Sequence, residues 1–215
     1  MKKPDVIIVD DHLIFRQGLK SLLTFENIAN VIGEASNGIE FIQLLSHLQP
    51  DLVLMDIDMP LMNGIDATKN ALELVPDLKI IAFTMFSDDE YYFKMIDVGV
   101  KGFILKSSGI RELENAIQTI LSGESYFSNE ILRKIIIKLG RKTNDFQTES
   151  GGLSVRELEV LQHICSGSNN EEIAQKLFIS PMTVKSHRSK LLEKTGCKNT
   201  PGLILYALKN KIIKF

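Results

Sequence analysis

The chain has 215 residues, 44% of them hydrophobic, with 25 Lys+Arg against 27 Asp+Glu. That length fits one large domain or two modest ones, and a 24% charged fraction without low-complexity tracts argues against an intrinsically disordered chain. No apolar run reaches the roughly 18 residues that span a bilayer; MKKPDVIIVDDH lacks the small-residue cleavage site of a signal peptide; and Cys165 and Cys197 are too few for a disulfide framework. A soluble, cytoplasmic protein with no membrane partner is the expectation.

VIIV (6–9), VIGEA (31–35), DLVLMD (51–56), KIIAFT (79–84) and GFILK (102–106) read as strands. Most are continuously apolar, as strands buried on both faces should be. Segments with apolar residues three and four apart alternate with them, one through Leu13, Phe15, Leu19, Leu22 and Leu23, another through Ile110, Leu113, Ile117 and Leu121. Alternation of this kind predicts an α/β domain over residues 1–122, a doubly wound five-stranded parallel sheet whose ligand site lies at the carboxyl ends of the strands.

The rhythm changes after residue 122. Ile131 to Leu139 has the pattern of a short amphipathic helix, and GRKTNDFQTESGG (140–152) is polar and aperiodic, so 123–149 reads as a linker. Residues 150–215 read as short helices only. Ser154-Val-Arg-Glu157 is a capping-box pattern, Asn170 to Leu177 forms the next helix, Ser180-Pro181 starts one that stops at Gly196, and Thr200-Pro201 starts the last, over 201–212. Charge divides likewise: residues 1–122 carry 10 basic and 18 acidic groups, a net of −8, and residues 123–215 carry 15 and 9, a net of +6. An acidic half suits cations, and a basic half suits a polyanion.

Asp10 and Asp11 follow the first strand and Asp56 the third, so parallel strands bring them to one edge. Clustered carboxylates raise one another's pKa unless a cation sits among them, and a hard divalent ion, Mg²⁺ above all, suits oxygen ligands. The backbone carbonyl of Asp58 is within reach of the same ion. Strands four and five end at Thr84 and Lys106, adding a hydroxyl and an ammonium. Such a set suits phosphoryl chemistry, with a carboxylate as nucleophile and cations on the phosphoryl oxygens. Taken singly, each residue is an ordinary strand end or solvated side chain; five at one edge are not.

VDDHLIFRQGL (9–19), LVLMDIDMPLMNG (52–64), AFTMF (82–86) and GFILKSS (102–108) resemble the receiver domain of two-component response regulators. The resemblance implies Asp56 as phosphoacceptor, Asp11, Asp56 and the Asp58 carbonyl as Mg²⁺ ligands, and Asp10 as their partner through the metal's water. It implies Thr84 as the switch hydroxyl and Lys106 as the cation that pairs with the phosphoryl group. Phe103 stands where many receivers carry a switch tyrosine, and Ser107 where many carry proline. Gly64 is expected to allow an unusual loop conformation and Pro60 to stiffen the acceptor loop. His12 is expected to line a docking face.

In NNEEIAQKLFISPMTVKSHRSKLLEKTG (169–196) two helices flank a short turn, with Ile173, Ala174, Leu177, Ile179, Val184, Leu191 and Leu192 inward and Lys185, Ser186, Arg188, Ser189 and Lys190 outward. That is helix-turn-helix geometry or the solvated basic helix of a small bundle. LSVRELEVL…EIAQKLFIS…TVKSHRSKLLEKTG resembles the LuxR-type four-helix DNA-binding domain. The resemblance implies Lys185, Ser186 and Ser189 at base-facing or backbone-facing positions, Thr183, His187, Arg188 and Lys190 as phosphate contacts, and a last helix that serves dimerisation.

Together the halves resemble the NarL/FixJ class of response regulators. That class implies phosphorylation by a sensor histidine kinase, homodimerisation, promoter binding and, as a further partner, RNA polymerase. Asp56-Ile57-Asp58 also matches, superficially, the paired-Asp motif of haloacid-dehalogenase-like phosphatases, which place it after the N-terminal strand instead. A receiver that no longer uses phosphate is a third reading.

Overall fold

A computed structural model describes residues 2–85, 89–128, 131, 153–210 and 212–213. The chain divides into two compact units, Met1–Ser128 and Asn129–Phe215. The first is built from β1 (Asp5–Val9), α1 (Leu13–Phe25), β2 (Asn30–Ala35), α2 (Gly38–Leu45), β3 (Leu52–Met55), α3 (Gly64–Leu74), β4 (Ile80–Thr84), α4 (Asp89–Val98), β5 (Gly102–Leu105), α5 (Ile110–Leu121) and β6 (Tyr126–Phe127). All strands are parallel, in the order β2-β1-β3-β4-β5-β6.

Every residue of β3 and β4 is buried, because helices cover both faces of the sheet. Alternate side chains divide between two cores. Val6, Ile8, Leu52, Leu54, Ile81, Phe83 and Ile104 meet Leu19 and Leu23 of α1 and Leu113, Ala116, Ile117 and Ile120 of α5. Ile7, Val9, Val53, Met55, Ile80, Ala82 and Phe103 alternate with them and are buried as completely. Register aligns the strand ends: Val9 pairs with Met55, Met55 with Ala82, and Thr84 with Leu105.

The sheet has a sixth strand where the sequence suggests five. Tyr126 and Phe127 pair with Gly102 and Phe103 of β5 inside what reads as the start of the linker. Two residues carry no periodicity of their own. They lie close to Gly102, where a Cβ would sit 2.5 Å from Ile120 Cδ1 of α5 and 3.1 Å from the Tyr126 carbonyl. The expected linker helix from 131 to 139 lies outside the described residues apart from Ile131, which is buried; so does the stretch 140–152.

The described part of the second unit holds α6 (Val155–Cys165), α7 (Asn170–Leu177), α8 (Pro181–Thr195) and α9 (Thr200–Lys209) around Val160, Leu161, Ile164, Ile173, Ala174, Val184, Leu191, Leu203 and Ala207. Capping sets their ends. Ser154 and Glu157 form the expected capping box on α6, and Asn169 and Glu172 form another on α7. Ser180 caps α8 through Thr183 N, with Pro181 behind it, and Gly196 ends it at φ 67°. The last helix departs from expectation. Asn199, fully buried, is its cap and accepts from Gly202 N at 2.9 Å, so Thr200 lies inside the helix.

Glu157 is buried, and Lys194 of α8 reaches it at 2.8 Å. That hydrogen bond, with a second from Ser154 N–H, pulls its pKa from the ordinary 4.5 down to about 2. The folded unit therefore holds this proton less tightly than the unfolded chain, so the stabilisation is complete above pH 4.5 and is lost as pH falls from there to about 2. Glu157→Ala should cost about 1–2 kcal/mol in denaturant unfolding at pH 7. Glu157→Gln, which retains the cap, should flatten the stability profile between those pH values; an unchanged profile would contradict the assignment.

Candidate functional site

The strand ends bring the acid cluster together. Asp10 and Asp56 are buried, Asp56 N–H donates to Val9 carbonyl at 2.8 Å, and Asp10 N–H donates to Ala35 carbonyl at 3.0 Å. Lys106, its side chain only 2% exposed, bridges the two acids: Nζ lies 2.6 Å from Asp10 Oδ2 and 2.7 Å from Asp56 Oδ2. Asp56 Oδ1 accepts from Ile57 N–H at 2.8 Å. Burial pushes the Asp56 carboxyl above its ordinary value; the Lys106 ammonium opposes that rise and the Asp10 charge adds to it. Thr84 is buried at the end of β4, and its carbonyl accepts from Lys106 N–H at 2.8 Å.

Asp11 completes an oxygen-rich set. Single donor atoms of Asp10, Asp11, His12 and Asp56 all lie within 4.8 Å of one another. Asp11 Oδ1 is buried without an aligned hydrogen bond, although His12 Nδ1 stands 2.8 Å away. Such an oxygen fits a hard divalent cation, whose preferred ligands are carboxylates. His12 thus joins the acid pair, which its expected place on a docking face did not include. The Asp58 side chain stands in solvent. Arg16 of α1 donates to the Asp10 carbonyl and reaches toward Glu34 of β2, bracing the loop that carries the acids.

The acceptor loop differs from expectation in where its unusual backbone lies. Leu61, at φ 67°, takes the left-handed conformation, and Gly64 opens α3 instead. Glycine is needed at 64 for room: a Cβ there would stand 1.9 Å from the Asp56 carbonyl oxygen. Asn63 caps α3 by accepting from Ile65 and Asp66 N–H, so the Asn-Gly pair pins the loop to the helix. Phe103 is fully buried and packs edge-on against Tyr92 of α4, centroids 4.8 Å apart.

In the second unit, α8 presents Thr183, Ser186, Ser189 and Lys190 to solvent, with Lys185 and His187 half-buried. The Thr183 hydroxyl is shared with the cap, 2.8 Å from Ser180 Oγ. Arg188 is turned inward rather than outward. Its guanidinium donates to Asn170 Oδ1 at 2.7 Å and Thr200 Oγ1 at 3.0 Å, tying α8 to the starts of α7 and α9. Sequence periodicity places Arg188 on the polar face but cannot show that two neighbouring helices offer it acceptors.

The response regulator receiver domain model matches residues 6–118, and that of the luxR family of bacterial regulatory proteins matches residues 152–207. The chain is 36% identical over 215 residues to the oxygen regulatory protein NreC of Staphylococcus carnosus, covering 98% of this chain and 99% of that one. It belongs to the NarL/FixJ class of response regulators. Solved structures agree. RcsB of Salmonella enterica serovar Typhimurium, bound to the rprA promoter with a phosphomimetic, is 28% identical with a TM-score of 0.57, covering 97% of this chain and 99% of that one. A structure of two RcsB dimers on two parallel DNAs is 27% identical with a TM-score of 0.59 over 97% and 99% of the two chains. Response regulators of this class are DNA-binding transcriptional regulators that take their signal from a histidine kinase, and they are not enzymes, which removes the phosphohydrolase reading.

Gly64→Ala should force the acceptor loop off α3 and break the 2.8 Å hydrogen bond from Gly64 N–H to the Ile57 carbonyl. We expect a loss of about 2–3 kcal/mol in urea unfolding of the receiver unit. An unshifted midpoint would mean the loop yields without cost.

Proposed function

We propose that Asp56 is the phosphoacceptor of this response regulator. The observation that carries the proposal is a buried carboxylate with one oxygen on a backbone N–H and the other on the buried Lys106 ammonium, beside a second pair of acids. The kinase's phosphohistidine loses its P–N bond as a new P–O bond forms to Asp56, and the departing imidazole takes up a proton. Asp10, Asp11, Asp56 and the Asp58 carbonyl would hold Mg²⁺, which when bound neutralises the phosphoryl oxygens and the crowded carboxylates. Lys106 then turns from the carboxylates to a phosphoryl oxygen, and the Thr84 hydroxyl turns to another. Phe103, held edge-on by Tyr92, repacks with them and alters the β4–β5 face.

That change shifts a two-state equilibrium toward a homodimer that binds promoter DNA, the arrangement in which RcsB dimers are found on DNA. The start of α8 enters the major groove, with Lys185, Ser186 and Ser189 at base-facing or backbone-facing positions and Thr183, His187, Arg188 and Lys190 at phosphates. Arg188, whose guanidinium also holds Asn170 Oδ1 and Thr200 Oγ1, has further N–H donors for a phosphate. RNA polymerase is the next partner at a promoter, and the cytoplasm is where all these partners meet; among the described residues no helix is long and apolar enough to cross a membrane.

Incubation with Mg²⁺ and acetyl phosphate should add one phosphoryl group to the wild type and none to Asp56→Asn, read by intact mass. Equal labelling of both proteins would move the acceptor elsewhere. Lys185→Ala should weaken DNA binding by about 1–3 kcal/mol. Unchanged affinity together with an unchanged salt slope would take Lys185 out of the interface.

A further inference from the structure

Lys106 has a partner that is not an acid. Its Nζ lies 4.7 Å from the ring centroid of Phe15 on α1. That ring leans in turn on Phe83 of β4, centroids 5.7 Å apart at an interplanar angle of 47°. Phe83 is buried in the sheet core, so the aromatic pair has a fixed foundation. An aromatic face attracts a cation within about 6 Å of its centroid, most strongly where water is excluded. The Lys106 side chain is almost wholly excluded from water.

We propose that Phe15 is a positioning residue for phosphoryl transfer at Asp56: its ring holds the Lys106 ammonium while that group moves from the carboxylates to the phosphoryl oxygens. The proposal rests on the reading of Asp56 as phosphoacceptor. In the resting site Lys106 is divided between Asp10 and Asp56, and both are directional partners. Phosphorylation turns Asp56 into a mixed anhydride and places the new charge on phosphoryl oxygens, so the ammonium must swing. A ring face suits that movement. Its attraction does not depend on which N–H is aimed where, and it offers no lone pair to compete with the phosphoryl oxygens. It also covers the cation with carbon, so the swing takes place without a hydration shell re-forming. Leucine at this position would fill much of the same space and supply none of the attraction, leaving Lys106 to the two carboxylates alone.

The competing account is packing only: Phe15 is partly buried and sits against the core cluster. Fluorination separates the two, because it drains the ring face of negative potential with little change of shape. Full-length protein would carry phenylalanine, 4-fluoro-, 3,5-difluoro- or 3,4,5-trifluorophenylalanine at position 15. Each form would be phosphorylated with acetyl phosphate and Mg²⁺ and followed by intact mass, with thermal melts to confirm folding. We expect the logarithm of the rate to fall steadily with fluorine number, reaching about a 5-fold loss for the trifluoro form and for Phe15→Leu, with Phe15→Tyr within about 2-fold of wild type. A flat series, with Phe15→Leu at the wild-type rate, would overturn the role.

A second readout needs no phosphate. In the resting protein the Lys106 Hε resonances should be shielded by the ring and should move downfield in Phe15→Leu; resonances that stay in place would show that the ring does not hold the cation. Failure of the underlying reading looks different: a wild type that takes up no phosphoryl group, or an Asp56→Asn that does, overturns the acceptor assignment and this proposal with it, whatever the resonances do.

Discussion

The receiver unit is organised around one constraint, that two carboxylates and an ammonium share a site from which water is nearly absent. Asp10, Asp56 and Lys106 are all but fully buried. An isolated buried charge is costly, and two acids side by side are worse, so the cluster is tolerable only with a cation placed between them. Lys106 meets that requirement at 2.6 and 2.7 Å. One positive charge against the negative charges of Asp10, Asp11 and Asp56 still leaves the site short of cations. This shortfall is what the proposed divalent ion would relieve. Burial, which outweighs the lysine, raises the pKa of Asp56, and the Asp10 charge adds to the rise.

The rest of the fold supplies the geometry that the cluster needs. Parallel pairing of β1 with β3, β3 with β4 and β4 with β5 brings four strand ends to one edge. Asp10, Asp56 and Lys106 stand one position beyond a strand, and Thr84 is the last residue of one. Backbone bonds fix these termini: Asp56 N–H to Val9 carbonyl, and Lys106 N–H to Thr84 carbonyl. The second of these bonds joins the two residues that are proposed to answer phosphorylation. Their main chains are thus held side by side at adjoining strand ends.

Much of this is legible in the sequence because strand ends are marked by abrupt changes from apolar to acidic, hydroxyl or basic residues. Asp10, Asp11, Asp56, Thr84 and Lys106 stand at such changes, and the parallel topology follows from alternation of strands and helices. What sequence does not reveal depends on distance in three dimensions. The strand β6 is defined by its pairing with β5, since Tyr126-Phe127 has no pattern of its own. Gly64 reads as a conformational glycine and is a steric one, since clearance from the Asp56 carbonyl leaves no trace in sequence. Arg188 carries the right charge on the right helix, yet Asn170 and Thr200 claim it. Phe15 looks like one more apolar residue in a helical stripe, and only its place beside Lys106 distinguishes it.

These residues share a feature: each acts through a partner outside its own helix or strand. The acid cluster, by contrast, is built from groups whose chemistry is evident even before their neighbours are known. The same contrast holds in the DNA-binding unit. Its caps at Ser154, Asn169 and Ser180 are local and readable, whereas Glu157 also receives Lys194 from another helix, and Asn199 displaces Thr200 as the cap of α9. Arg188 and Lys194, both on α8, are therefore committed to holding that helix against its neighbours. The basic groups of α8 are thus not equivalent: Lys190 stands in solvent and Lys185 is half-buried, while Arg188 and Lys194 bind acceptors on other helices. Attachment of α8 through Arg188 and Lys194 sets its orientation against α6, α7 and α9, and with it the directions in which its exposed side chains stand.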